Sequence, residues 1–162
     1  MKKGFFIFLV LHCLTTYAQN LTFRDLLYLK NNSFEKVEEF LIKRDWKFMN
    51  GTPVTGADFS QASFQYYDAR DGGDYAHLTY VFNETDKEIH LKLFKKEKYF
   101  EYLNEVKALK SELISTSSTK ESGLEKIYKS GKNIYIFQVN KVDYEDISLP
   151  SWNLIITYML DQ

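Results

Sequence analysis

Apolar residues recur every three to four positions in the first part of this chain and every second position through its middle. Thr22 precedes Phe23, Leu26, Leu27 and Leu29, and it can cap a helix with Asp25 near the positive end. Asn31-Asn32-Ser33 interrupts. Phe34, Val37, Phe40 and Leu41 then resume the helical spacing, with Glu35, Lys36, Glu38 and Glu39 on other faces. Two short helices joined by a tight turn are predicted. Asn50 to Gln61, with Gly51, Pro53 and Gly56, reads as a loop. The period then falls to two: Phe64 and Tyr66, then Leu78, Tyr80 and Phe82, then Ile89, Leu91 and Leu93. These are three strands of an antiparallel meander. A turn at Asp71-Gly72-Gly73 sets Tyr66 opposite Leu78 and Phe64 opposite Tyr80. A loop at Glu84 to Lys87 sets Phe82 opposite Ile89 and Tyr80 opposite Leu91. One face is then uniformly apolar, and a slip of one residue would destroy it.

Tyr99, Tyr102, Val106, Leu109 and Leu113 return to helical spacing and predict one long central helix over that apolar face. Ser115 to Gly123 reads as a polar linker. Leu124 to Tyr128 and Ile134 to Val142 form a hairpin about Ser130 to Asn133. Ile134 to Val139 is apolar on both faces except Gln138, the mark of a central strand. Asp143 to Pro150 reads as a loop, and Trp152, Leu154, Ile156, Tyr158 and Leu160 alternate as a last strand. The expected class is α+β: antiparallel sheet or sheets, with two short N-terminal helices and one long central helix packed on the sheet.

The first 18 residues follow a different plan. Lys2 and Lys3 precede an apolar run from Phe5 to Leu14, and Thr16-Tyr17-Ala18 offers small residues at the positions a signal peptidase reads. The run is about half the ~20 residues needed to span a bilayer. A cleaved secretory signal, residues 1–18, is therefore expected, followed by a single α+β domain over 19–162 in the periplasm or outside the cell. Cleavage leaves 144 residues with 19 basic against 22 acidic side chains, a net charge of −3. That balance, without clustered Lys or Arg, excludes an ordinary nucleic-acid binder. Cys13, the one cysteine, leaves with the signal, so neither disulfides nor thiol chemistry are expected; an aromatic content of 17% must supply the core instead. Asn-x-Ser/Thr sequons at Asn20, Asn31, Asn50 and Asn83 matter only in a glycosylating host.

Candidate chemistry is sparse. On the predicted register His90 sits opposite Val81, which lies four residues along the strand from His77. That separates the two histidines by roughly 13 Å, too far for a shared zinc. Gly51 to Gly56 has the outer spacing of a phosphate loop, but Ala57-Asp58 stands where Lys-Ser/Thr is required. Asp68, Asp71 and Asp74 lack EF-hand spacing and read as a solvated hairpin tip. Asp143, Glu145 and Asp146 are sequence neighbours, not carboxylates held across a cleft. No nucleophile elbow is present. No catalytic residue, cofactor or metal is expected. The remaining feature is the second face of the sheet, where Tyr67, Val81 and Phe94 sit beside Gln65, Thr79, His90 and Lys92. Tyr67, Val81, His90 and Phe94 are the candidate binding residues, mixed aromatic-polar surfaces being suited to protein or sugar. The apolar C-terminal hairpin or the N-terminal helices are expected to cover this face.

Several segments together resemble a group of small exported proteins of flavobacteria and relatives. They are the Tyr17-Ala18-Gln19 signal ending, Leu26-Leu27-Tyr28-Leu29 with Phe34 to Leu41, Asp45-Trp46-Lys47-Phe48, Tyr99-Phe100-Glu101-Tyr102-Leu103 and Gly123 to Tyr128. The resemblance implies an extracytoplasmic bacterial protein and supplies no activity or site residues. The functional expectation is an exported, non-enzymatic binding domain whose partner is an envelope or secreted protein. The alternative is a carbohydrate- or small-ligand-binding or processing protein using exposed aromatics and the Asp143–Asp146 carboxylates.

Overall fold

A computed structural model describes residues 21–52, 60–68, 74–119, 123–144 and 147–158. The signal segment lies outside them. Helix α1 (Phe23–Lys30) and helix α2 (Phe34–Ile42) precede strands β1 (Lys47–Thr52), β2 (Ser60–Asp68), β3 (Asp74–Phe82) and β4 (Lys87–Leu93). Helix α3 (Lys96–Ala108) then leads to β5 (Glu112–Thr119), β6 (Gly123–Ser130), β7 (Asn133–Tyr144) and β8 (Ile147–Tyr158). The eight described strands form one antiparallel sheet in the order β1-β2-β3-β4-β8-β7-β6-β5. Each half is thus a helical segment followed by a four-stranded meander, and the halves join where β4 pairs β8. The α+β antiparallel expectation holds.

Helix α1 starts as its sequence dictates. Thr22 Oγ1 accepts from the Asp25 amide at 3.1 Å, and Asp25 Oδ2 accepts from the Thr22 amide at 2.8 Å, a reciprocal capping box. The three described helices pack on one face of the sheet. Phe34 of α2 stacks on Phe82 at 5.4 Å, Phe23 of α1 meets Tyr135 at 5.7 Å and Tyr99 of α3 meets Phe137 edge-on at 5.4 Å. Leu26, Leu29, Val37, Leu41, Tyr102 and Val106 bury against Phe64, Leu78, Tyr80, Ile89, Leu91, Leu154 and Ile156 in one continuous core. Buried hydroxyls are satisfied: Tyr80 donates to the Asn32 carbonyl at 2.7 Å and Tyr102 to the Leu21 carbonyl at 2.8 Å.

Several expectations need correction. The central helix is 13 residues and stops at Ala108, because Lys110 turns left-handed (φ 56°) and Ser111 Oγ donates to the Val106 carbonyl. Leu109 and Leu113, assigned to that helix, are exposed, and Leu113 belongs to β5. The polar linker is largely strand β5, the loop from Asn50 begins inside β1, and Asp143, Tyr144 and Ile147 to Pro150 are paired strand residues. Both N-terminal hairpins are shifted by two residues. Phe64 faces Leu78, Tyr66 faces Ala76, Tyr80 faces Ile89 and Phe82 faces Lys87. In the β3–β4 turn Asn83 Oδ1 accepts from the Thr85 and Asp86 amides at 2.9 and 2.6 Å, which closes the turn two residues earlier than expected. Of the remaining loop readings, residues 53–59, 69–73 and 145–146 lie outside the described residues.

Candidate functional site

Strand alternation that sends Leu78, Leu91, Leu154 and Phe137 inward sends their neighbours to the opposite face. No described helix or strand packs on that face. The C-terminal strands extend the sheet sideways instead of covering it, contrary to expectation, because β8 pairs the edge of β4. Two cross-strand rows run over the open face. One is Gln65, His77, Lys92, Asn153, Gln138 and Glu125; the next is Ser63, Thr79, His90, Ile155, Ile136 and Ile127. The first row is polar throughout, and the second turns aliphatic from Ile155 to Ile127 on β6.

A solvent-open depression of about 370 Å³ lies where the two halves meet, lined by His77, Thr79, His90, Leu91, Lys92, Gln138, Asn153 and Ile155. The corrected register places His90 opposite Thr79, so His77 is its diagonal neighbour at roughly 7 Å and not 13 Å away. Both imidazoles therefore reach one site. Among the described residues there is still no cluster of three metal-ligating side chains. His90 Nε2 lies 2.8 Å from Glu88 Oε2, and Glu88 Oε1 accepts from Thr157 Oγ1 at 2.7 Å. Gln138 donates to Glu125 at 2.8 Å. Burial, and then the nearby Lys92 ammonium, hold the His77 imidazole below its ordinary pKa. Phe94 meets His77 edge-on at 6.0 Å, and the Lys92 ammonium lies 5.5 Å from the centre of the Phe94 ring.

The four candidate residues share the open face but not one spot. His90 lines the depression and Phe94 flanks it through His77. Tyr67, 48% exposed, sits toward one end of the face, and Val81, paired with Gln61 and Glu88, is buried toward the other. Sequence reasoning missed Gln138, Asn153 and Ile155, which reach the site through the β4–β8 pairing. The alternation of Trp152, Leu154 and Ile156 already implied that Asn153 and Ile155 point the other way. The Asp143–Asp146 carboxylates fall outside the residues whose side chains are described. No helix among the described residues is long and apolar enough to cross a membrane. No family model, curated protein or solved structure matches the chain.

Proposed function

We propose that this chain is an exported, non-enzymatic binding protein that engages a protein of the cell envelope or its surroundings through the open face of its sheet. The observation that carries the reading is the one-sided packing: three helices seal one face, while the other presents a half-exposed mixed surface with a depression at its centre. An apolar stripe of Ile155, Ile136 and Ile127 beside polar groups is the composition of an interface core with its rim. The basic start and short apolar run of residues 1–18 support export through a cleaved signal. Sugar or small-ligand binding fits less well. Such a site encloses most of its ligand, whereas this depression is open and neither Tyr67 nor Phe94 lines it.

Tagged protein carrying residues 19–162 is incubated with envelope extract beside an Ile155→Glu variant. The reading expects a stoichiometric partner captured by the parent and lost with the variant, whose circular dichroism stays unchanged. Equal capture by both, or no stoichiometric partner, rejects it.

A further inference from the structure

Building on that open-face reading, we infer that the central depression receives an Asp or Glu side chain projecting from a turn of the partner protein, with Lys92 as its counter-charge. Lys92 sits in the middle of the sheet, on β4 between His77 and Asn153, with Thr79 and His90 in the adjacent row. Among the described residues no carboxylate lies within ion-pairing distance of its ammonium. Two described acids of the same face are committed elsewhere, Glu88 to His90 and Thr157, and Glu125 to Gln138. Glu125 stands three strands away from Lys92, roughly 14 Å. The depression thus has a local positive charge that its described neighbours leave uncompensated, and the same charge disfavours protonation of His77.

The lining adds hydrogen-bonding groups suited to a carboxylate: the Thr79 hydroxyl and the Asn153 amide. Shape separates a docked side chain from a small anion. A carboxylate alone fills little of about 370 Å³ and stays largely wet in so open a hollow. A side chain carried on a protein surface brings its own cover, because the surrounding turn can rest on Ile155 and Ile136 and exclude water from the ion pair. Desolvated pairs at interface centres are the ones whose truncation weakens binding strongly.

The test uses isotopically labelled protein, a cyclic peptide with Asp at its turn, the matching Asn peptide, and acetate, each at millimolar concentration. The Asp peptide is expected to shift resonances of His77, Thr79, Lys92 and Asn153 and to raise the His77 titration midpoint. The Asn peptide should bind at least tenfold more weakly, Lys92→Ala should abolish the shifts and Lys92→Arg should retain them. Equal binding of the Asn peptide, absence of shifts, or acetate acting as strongly as the Asp peptide overturns the inference. Envelope capture separates this from the broader reading. Loss of the partner with Ile155→Glu but not with Lys92→Ala keeps the face and rejects the acidic occupant; retention with both rejects the face itself.

Discussion

Lys30 is the residue whose surroundings are least ordinary. It ends α1 fully buried, donating to Asn133 Oδ1 at 2.8 Å and the Thr157 carbonyl at 2.6 Å, with its ammonium 3.4 Å from the centre of the Tyr158 ring. Loss of water pulls its pKa from 10.5 down to about 8, against a smaller opposing pull from Glu88. Between those values the unfolded chain binds more protons than the native one, so stability rises with pH across that interval, by at most ~3 kcal/mol from this group. The tyrosines act in the opposite sense. Burial pushes Tyr80 and Tyr99 from 10.0 up to about 12, so above pH 10 the native state keeps protons the unfolded chain has lost, and stability falls. Urea denaturation across this range should show a maximum near pH 10. Lys30→Met should remove the rising limb and keep the falling one; a parent protein with flat stability between pH 8 and 10 would contradict the assignment.

At the scale of the element, two positions make the local rules measurable. Thr22→Ala removes half of the α1 capping box and should destabilise the protein by ~1 kcal/mol in a urea melt. Gly123 begins β6 at φ +64°, where an added Cβ would lie 1.9 Å from the Val139 carbonyl oxygen; Gly131, at φ +59° in the β6–β7 turn, has open space around it. Gly131→Ala should therefore cost ~1 kcal/mol and Gly123→Ala distinctly more, above ~2 kcal/mol, and equal effects would refute the steric argument. The same elements show what the sequence made legible. Periodicity reports burial, so α1, α2 and the interior strands β2, β3, β4 and β7 stood out. Edge strand β1 is exposed along its whole length, and β5 is a run of Ser and Thr beyond Leu113 and Ile114, so neither carries an alternating signal. A shift of two residues leaves every side chain on its own face, which is why the hydrophobic pattern set the faces of both hairpins but not their register. That error moved His90 away from His77 and hid the depression. The Asn153–Lys92 neighbourhood was further concealed by a pairing between strands about 60 residues apart.

The whole molecule is two meanders that look separable on paper and are interlocked in space. Helix α1, from the first half, packs Phe23 on Tyr135 and ties Lys30 to Asn133 and Thr157 in the second. Helix α3 returns the contact through Tyr102, whose hydroxyl donates to the Leu21 carbonyl. Between them β4 and β8 place Leu91 beside Leu154 and Ile89 beside Ile156, all buried, at the centre of one core. Neither half keeps a closed core without the other, and the proposed docking site exists only at their seam. Unfolding should therefore be a single cooperative event. Trp46, packed on Tyr66, and Trp152, on β8 opposite Val139, report on different halves. In Trp46→Phe and Trp152→Phe proteins the remaining tryptophan should give the same urea midpoint as circular dichroism. Leu154→Ala, which opens a cavity at the seam, should lower stability by ~3 kcal/mol and move both reporters equally. A Trp46 signal that keeps its midpoint while the Trp152 signal falls would show that the halves fold independently.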